Sequence, residues 1–460
     1  MKSHIQNIEI EKGNSFANCK LGREKYAQLL EAIVSQYNDG CVMALNGKWG
    51  TGKTTFVKMW QQYMQDHGFK TIYLNAWEND FVEDPMIEFL GELKKLSSRN
   101  NKSFKKIISA AGKIAVATVG GLAKGFLESR IGCNTMNSIS EGIKDGVDET
   151  QNLLQKRIDE YNNQKVGLVE FRKCLSNYIE SQSNGKPVVF IVDELDRCNP
   201  HYAVKVLERI KHLFDIPNIF FVLSIDKQQL AHSICGFYGS DKIDATEYLK
   251  RFIDIEYELP EPDYDLFVQY VCEQYEIENV GYSLLYSAFK NEYVNIQEFI
   301  NDFTRAKNLS LRQIERWLSN FAVIMKMNCF PYQVYYSDAI LYMLYLKIFD
   351  SETYGILKKH SLGKQDLVDR LESVLKSESP DSINRMTILA AKILKIYFAD
   401  SNEQLLHYES KTAENNEVFF RLTYFDNKYM TAILSNIGNV NITMPKVCEI
   451  IELFIGFKTE

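Results

Sequence analysis

Eight residues constrain the fold of this 460-residue chain more than any others: Gly47-Lys48-Trp49-Gly50-Thr51-Gly52-Lys53-Thr54. The spacing Gly-x-x-x-x-Gly-Lys-Thr is that of a phosphate-binding loop, and such a loop functions between the end of a buried strand and the start of a helix. Both flanks comply. Cys41-Val42-Met43-Ala44-Leu45 is a short apolar run, and from Thr54 to His67 the residues Phe56, Trp60 and Tyr63 recur at helical spacing. Gly47, Gly50 and Gly52 let the backbone turn tightly and aim its N–H groups at phosphate oxygens, while the helix N-terminus adds partial positive charge. Lys53 is expected to bridge the β- and γ-phosphates, and Thr54 to ligate Mg²⁺ through its hydroxyl.

Other apolar runs say what the loop is mounted on. Lys70 to Asn75, Val188 to Val192 and Ile219 to Ser224 each read as buried parallel strands, and helical patterns separate them. An α/β core follows, with a parallel sheet covered by helices on both faces. The Val188 run leads directly into Asp193-Glu194. A carboxylate at the end of a neighbouring strand is what Mg²⁺ beside a phosphate loop requires, so Asp193 is expected to bind it directly or through its water. Glu194, one residue on, would face the γ-phosphate and orient or deprotonate the attacking water. Ser224 closes the Ile219 run and is either a γ-phosphate contact or a simple turn residue.

Asn199-Pro200 reads as a helix start, and the helix to Phe214 carries Arg209 near its end, either an arginine finger or a salt-bridged surface residue. Beyond Pro260 the chain reads as almost wholly helical. Ser310 with Gln313 forms a capping-box signature, and Arg312 in that first turn is either a sensor of the γ-phosphate or a surface arginine. The expected organisation is an NTPase core at 1–95 and 168–260, a helical insertion at 96–167, a helical lid at 261–335 and a C-terminal helical domain at 336–460.

The insertion contains residues 107–126, long enough to span a bilayer and carrying Gly121-x-x-x-Gly125. Lys113 and Lys124 lie inside it, and a lysine near the centre of a span costs about 2.5–3.5 kcal/mol. A span, a membrane-surface or partner-binding helix and an ordinary soluble insert all remain open. Composition narrows the partners. With 53 Lys plus Arg against 60 Asp plus Glu, the net charge of -7 offers nucleic acid no general attraction. The 9 cysteines are scattered and never form Cys-x-x-Cys, and residues 1–12 lack an apolar signal core, so a cytoplasmic location is expected, with contact at the inner membrane face as an option.

The loop, Asn75-Ala76-Trp77, Asp193-Glu194-Leu195-Asp196-Arg197-Cys198 and Ser224-Ile225-Asp226-Lys227 together resemble the KAP family of P-loop NTPases, over about Leu21 to Trp317. The resemblance implies an additional-strand ATPase core of STAND or AAA type, using ATP and Mg²⁺. It implies that Gly47, Trp49, Gly50, Thr51, Gly52, Lys53, Thr54 and Thr55 hold the phosphates, that Thr54 and Asp193 hold the metal, and that Glu194 activates water. Leu21-Gly22-Arg23-Glu24 resembles the adenine-side helix start of related ATPases, and Leu309-Ser310-Leu311-Arg312-Gln313 their lid arginine. It also suggests an ATP-driven switch in bacterial defence against phage, acting through self-association or a protein effector. A nucleic-acid loader and a membrane-associated scaffold are the alternatives.

Overall fold

β-Branched and aromatic runs that are apolar on both faces can be buried only inside a parallel sheet covered on both sides, and here they form its centre. The computed structural model describes residues 9–37, 39–96, 102–114, 147–240, 242–277, 296–327, 336–376, 379–400, 404–408, 416–436 and 442–455. Two compact units are present, one dominated by residues 23–260 and the other by residues 261–460.

In the first unit, helix α1 (Glu24–Val34) precedes β1 (Cys41–Asn46), and α2 (Lys53–Asp66) leads to β2 (Thr71–Asn75). Helix α3 (Pro85–Lys95) follows, capped by the Asp84 carboxylate on the Met86 N–H. Residues 102–114 form α4, and α5 (Val147–Gln182) is a 36-residue helix. It runs through position 168, where the sequence reading resumed the core. Phe104, Ile107 and Ala110 of α4 and Phe171, Leu175 and Tyr178 of α5 are buried in the same core as the sheet, and the Tyr178 hydroxyl donates to the Leu93 carbonyl at 3.0 Å. Of the considered membrane segment, Ile107, Ala110, Ala111 and Ile114 therefore pack onto protein, whereas 115–126 lie outside the described residues. Among the described residues no helix is long and apolar enough to cross a membrane.

Strand β3 (Val188–Asp193) is buried at every position, as is β4 (Ile219–Ile225). Between them lie a 3-10 turn (Leu195–Arg197) and α6 (Pro200–Arg209), started by Asn199 accepting from the His201 N–H. The last turn of the expected helix is a π-helical segment, Ile210–Phe214. After β4 come α7 (Lys227–Tyr238), α8 (Ala245–Leu249) and β5 (Ile255–Glu258). All strand pairs are parallel, in the order β2-β3-β4-β1-β5. The strand β4 inserted between β1 and β3 is the additional strand that the resemblance implied.

The second unit is mostly helical: α9 (Tyr264–Tyr275), α10 (Ile296–Ala306), α11 (Leu311–Met327), α12 (Ser337–Phe349), α13 (Ser351–Lys359), α14 (Lys364–Val374) and α15 (Pro380–Tyr397), then the antiparallel pair β6 (Leu406–Tyr408) and β7 (Asn416–Val418), α16 (Asn427–Asn436) and α17 (Met444–Ile455). The Ser310–Gln313 box forms as read, with the Ser310 N–H donating to the Gln313 side chain at 2.9 Å. One continuous apolar core runs from Val268 to Ile451, so the segments read as lid and C-terminal domain share it.

Candidate nucleotide site

Strand register brings the chemistry together. Leu45 and Asp193 both pair with Ser224 of β4, so β1, β4 and β3 end side by side. The carboxyl edge of such a sheet is where open α/β folds bind ligands. The loop starts there, held by the Gly47 N–H donating to the Ile225 carbonyl at 3.1 Å.

Within the loop, Gly50 and Gly52 have φ of 80° and 82°, a left-handed conformation that costs glycine little. Gly47 is small for another reason: a Cβ there would meet the Lys53 side chain at 3.3 Å. The Lys53 ammonium curls back and donates to the carbonyls of Gly47 and, at 3.1 Å, Lys48. Burial pulls the Lys53 pKa down from its ordinary value, and the negative charges of Asp196, Asp226 and Asp193 oppose that pull. The cation is thus set in an acidic, largely dry surround, where a polyphosphate finds a strong partner. Thr51 closes the turn with its hydroxyl on the Lys48 carbonyl at 2.8 Å, and Thr54 and Thr55 occupy the first turn of α2, half-buried.

The acidic turn after β3 is no solvated loop. Asp193 is 1% exposed; one oxygen accepts from the Tyr73 hydroxyl at 3.0 Å and the other from the Glu194 N–H at 3.0 Å. Asp196, also buried, accepts from the Trp49 indole, and burial raises its pKa against the hydrogen bond from Trp49 and the charge of Lys53. Asp226 accepts the Trp49 backbone N–H at 3.2 Å and caps α7 through the Gln229 N–H at 3.3 Å. Glu194 has φ of 60°, an uncommon left-handed conformation for a non-glycine residue, and its carboxylate pairs with Arg197 at 2.9 Å. The Ser224 hydroxyl, fully buried beside Asp193, has no hydrogen-bond partner.

Residues 23–328, well over half of the chain, match the family model described as the KAP family P-loop domain. The chain belongs to the KAP family of P-loop NTPases. A 75-residue stretch is 27% identical to the Phage T7 exclusion protein of Escherichia coli (strain K12), covering 16% of this chain and 10% of that one, so the match spans only a tenth of that relative. The solved structure of the Aeropyrum pernix ORC2 protein in ADPNP-ADP complexes aligns with 95% of this chain and 94% of its own at 12% identity, with a TM-score of 0.33.

In this KAP chain, Lys53, Asp193 and Ser224 gather around one strand edge, together with the Gly47–Thr54 loop. Glu194 directly follows Asp193 at the end of β3, and Thr55 directly follows the loop. Arg23 is buried and one of its nitrogens donates to the Pro260 carbonyl at 3.2 Å, which ties the start of α1 to the segment after β5. Arg209 is paired through two nitrogens with Asp84, both at 3.0 Å, which favours the salt-bridged reading over a finger. Arg251 is exposed. Arg312 is exposed on the first turn of α11, in the helical unit.

Tyr73, Asp196 and Asp226 were not singled out by sequence reasoning. Tyr73 offered no signal, being one more strand residue beside Ile72 and Leu74. Asp226 offered one: an acidic residue two places after Ser224, in the position of an N-cap for the helix that follows. Asp196 stood in the quoted acidic string, but its bond to Trp49 joins positions 147 residues apart.

Proposed function

We propose that the chain binds ATP with Mg²⁺ and hydrolyses it, and that this cycle is a switch in a bacterial defence against phage. The observation that carries the enzymatic part is the convergence of Lys53, Asp193 and Ser224 on the edge shared by β1, β3 and β4. The donors suit the ion: Asp193 is a buried carboxylate with one hydrogen bond on each oxygen, leaving lone pairs for a hard cation, and the Thr54 hydroxyl is a second oxygen donor. Phosphate and water would supply the remaining ligands, so no cluster of protein ligands is needed.

Bound Mg²⁺ would neutralise charge on the β- and γ-phosphate oxygens. The chain's own residues do the remaining work. Lys53 and the loop N–H groups hold the phosphates, Glu194 accepts the proton of the attacking water, and the unpartnered Ser224 hydroxyl hydrogen-bonds the γ-phosphate or that water. The nucleotide state of the core is then signalled to an effector or to a second copy of the chain. The likeness to the Phage T7 exclusion protein supports the defence setting.

The enzymatic part is tested with Glu194→Gln. Titration calorimetry should find ATP affinity within about twofold of wild type, while turnover falls by about 100-fold or more. Full turnover in that variant excludes Glu194 as the base. The cellular part is tested by plating a phage panel on bacteria carrying wild-type protein or Lys53→Ala. Reduced plating that depends on Lys53 is expected; equal plating on both would remove the defence role.

A further inference from the structure

We propose that Arg197 is a positioning residue that holds Glu194 on the β2 side of the site and thereby restrains hydrolysis. The inference rests on the reading of Glu194 as the water-activating residue.

Three contacts carry it. Arg197 Nη1 pairs with Glu194 Oε1 at 2.9 Å. The Arg197 guanidinium lies over the Trp77 ring, 5.5 Å from its centroid. Trp77 belongs to the turn directly after β2. Strand order then sets the direction. The phosphate loop follows β1, and β4 separates β1 from β3, so the loop and Trp77 lie on opposite flanks of β3. A guanidinium seated on Trp77 draws the Glu194 carboxylate towards β2, away from the loop.

The intervening turn explains why its two charged residues diverge. Leu195–Arg197 is a 3-10 turn, in which successive side chains point about 120° apart. Asp196 accordingly meets Trp49 of the loop, and Arg197 meets Trp77 on the other side.

A carboxylate held by a guanidinium has one oxygen occupied and is a poorer acceptor for the proton of water. Releasing it should therefore raise turnover, an outcome that a merely structural role for Arg197 would not produce. The pair is partly exposed, with Arg197 at 25%, so the restraint is modest.

The experiment measures kcat and ATP affinity for Arg197→Ala, Arg197→Lys, Trp77→Ala, Glu194→Gln and the double variant of Arg197→Ala with Glu194→Gln, with thermal melts to verify folding. Arg197→Ala is expected to raise kcat about threefold to fivefold with Kd for ATP unchanged. Trp77→Ala should shift kcat the same way, Arg197→Lys should stay near wild type, and the double variant should be as inactive as Glu194→Gln. An unchanged or lowered kcat in both Arg197→Ala and Trp77→Ala, with Glu194→Gln inactive, overturns the restraint and leaves the role of Glu194 intact. Full turnover in Glu194→Gln overturns both.

Discussion

The indole N–H of Trp49 donates to the Asp196 carboxylate, so the phosphate-binding loop is tied by a side chain to the turn after β3. The acceptor is 5% exposed. A buried carboxylate that loses a donor bears much of its desolvation cost, about 1–3 kcal/mol.

Trp49→Phe keeps an aromatic ring and removes only the N–H. It is expected to loosen the loop and weaken ATP binding about tenfold, read by calorimetry, while lowering the melting temperature by a few degrees. Unaltered affinity would mean that the loop keeps its shape through Gly50, Gly52 and the bond from the Trp49 backbone to Asp226 alone.

Lys53→Ala removes the cation set among Asp196, Asp226 and Asp193. What remains facing the phosphates is an acidic surround, so affinity for ATP is expected to fall by about 100-fold or more, as measured with a fluorescent nucleotide. Stability should hold or rise slightly, because a partly desolvated ammonium is removed. Retained affinity would sink the assignment of the loop.

Glu372 in the helical unit predicts a pH dependence. Burial pushes its pKa up, but the Thr423 hydroxyl and the N–H groups of Phe425, Tyr424 and Thr423 together outweigh that and hold it below the ordinary glutamate value. A depressed carboxylate pKa contributes stability that is complete above the unfolded-state value, about 4.3, and is lost as pH falls through the lower folded-state value. Glu372→Gln should therefore cost about 2 kcal/mol at pH 7, and the gap in denaturant midpoints should close below about pH 4. A gap that stayed constant with pH would show that the charge of Glu372 contributes nothing.

The buried pair of Lys392 with Asp338 makes a different test, since Lys392 reaches both carboxylate oxygens, at 3.0 and 2.9 Å, with the side chains 5% and 2% exposed. Removing one partner strands the other charge in an apolar core. Lys392→Met is expected to destabilise by about 3–5 kcal/mol, and adding Asp338→Val should recover most of that loss. Urea unfolding of both variants decides it: equal destabilisation by the single and double changes would mean that packing, not charge, sets the cost.

Much of the core was legible because its signals are contiguous. The runs at Cys41, Lys70, Val188 and Ile219 became β1 to β4, and the caps at Asn199 and Ser310 formed as read. Strand β5 escaped notice because it has four residues, Ile255-Glu256-Tyr257-Glu258, at a sheet edge where alternate positions are exposed. Its place is set by partners distant in the chain: the Asn46 amide donates to Glu258 at 2.7 Å, and Asp254 accepts the Val42 N–H at 2.8 Å.

The site divides in the same way. Glycine spacing, the flanking hydrophobic periods and the acidic residues after an apolar run lie within a few positions of one another, and these alone determined a phosphate loop on a parallel α/β core with Asp193 beside it. Which way each acidic side chain turns was decided only by the tertiary structure. Asp196 faces Trp49, Glu194 faces Arg197 and Arg197 rests on Trp77 because the strand order lays β2 and β1 on opposite flanks of β3. That order arises from long-range burial of whole strands, which local periodicity does not encode.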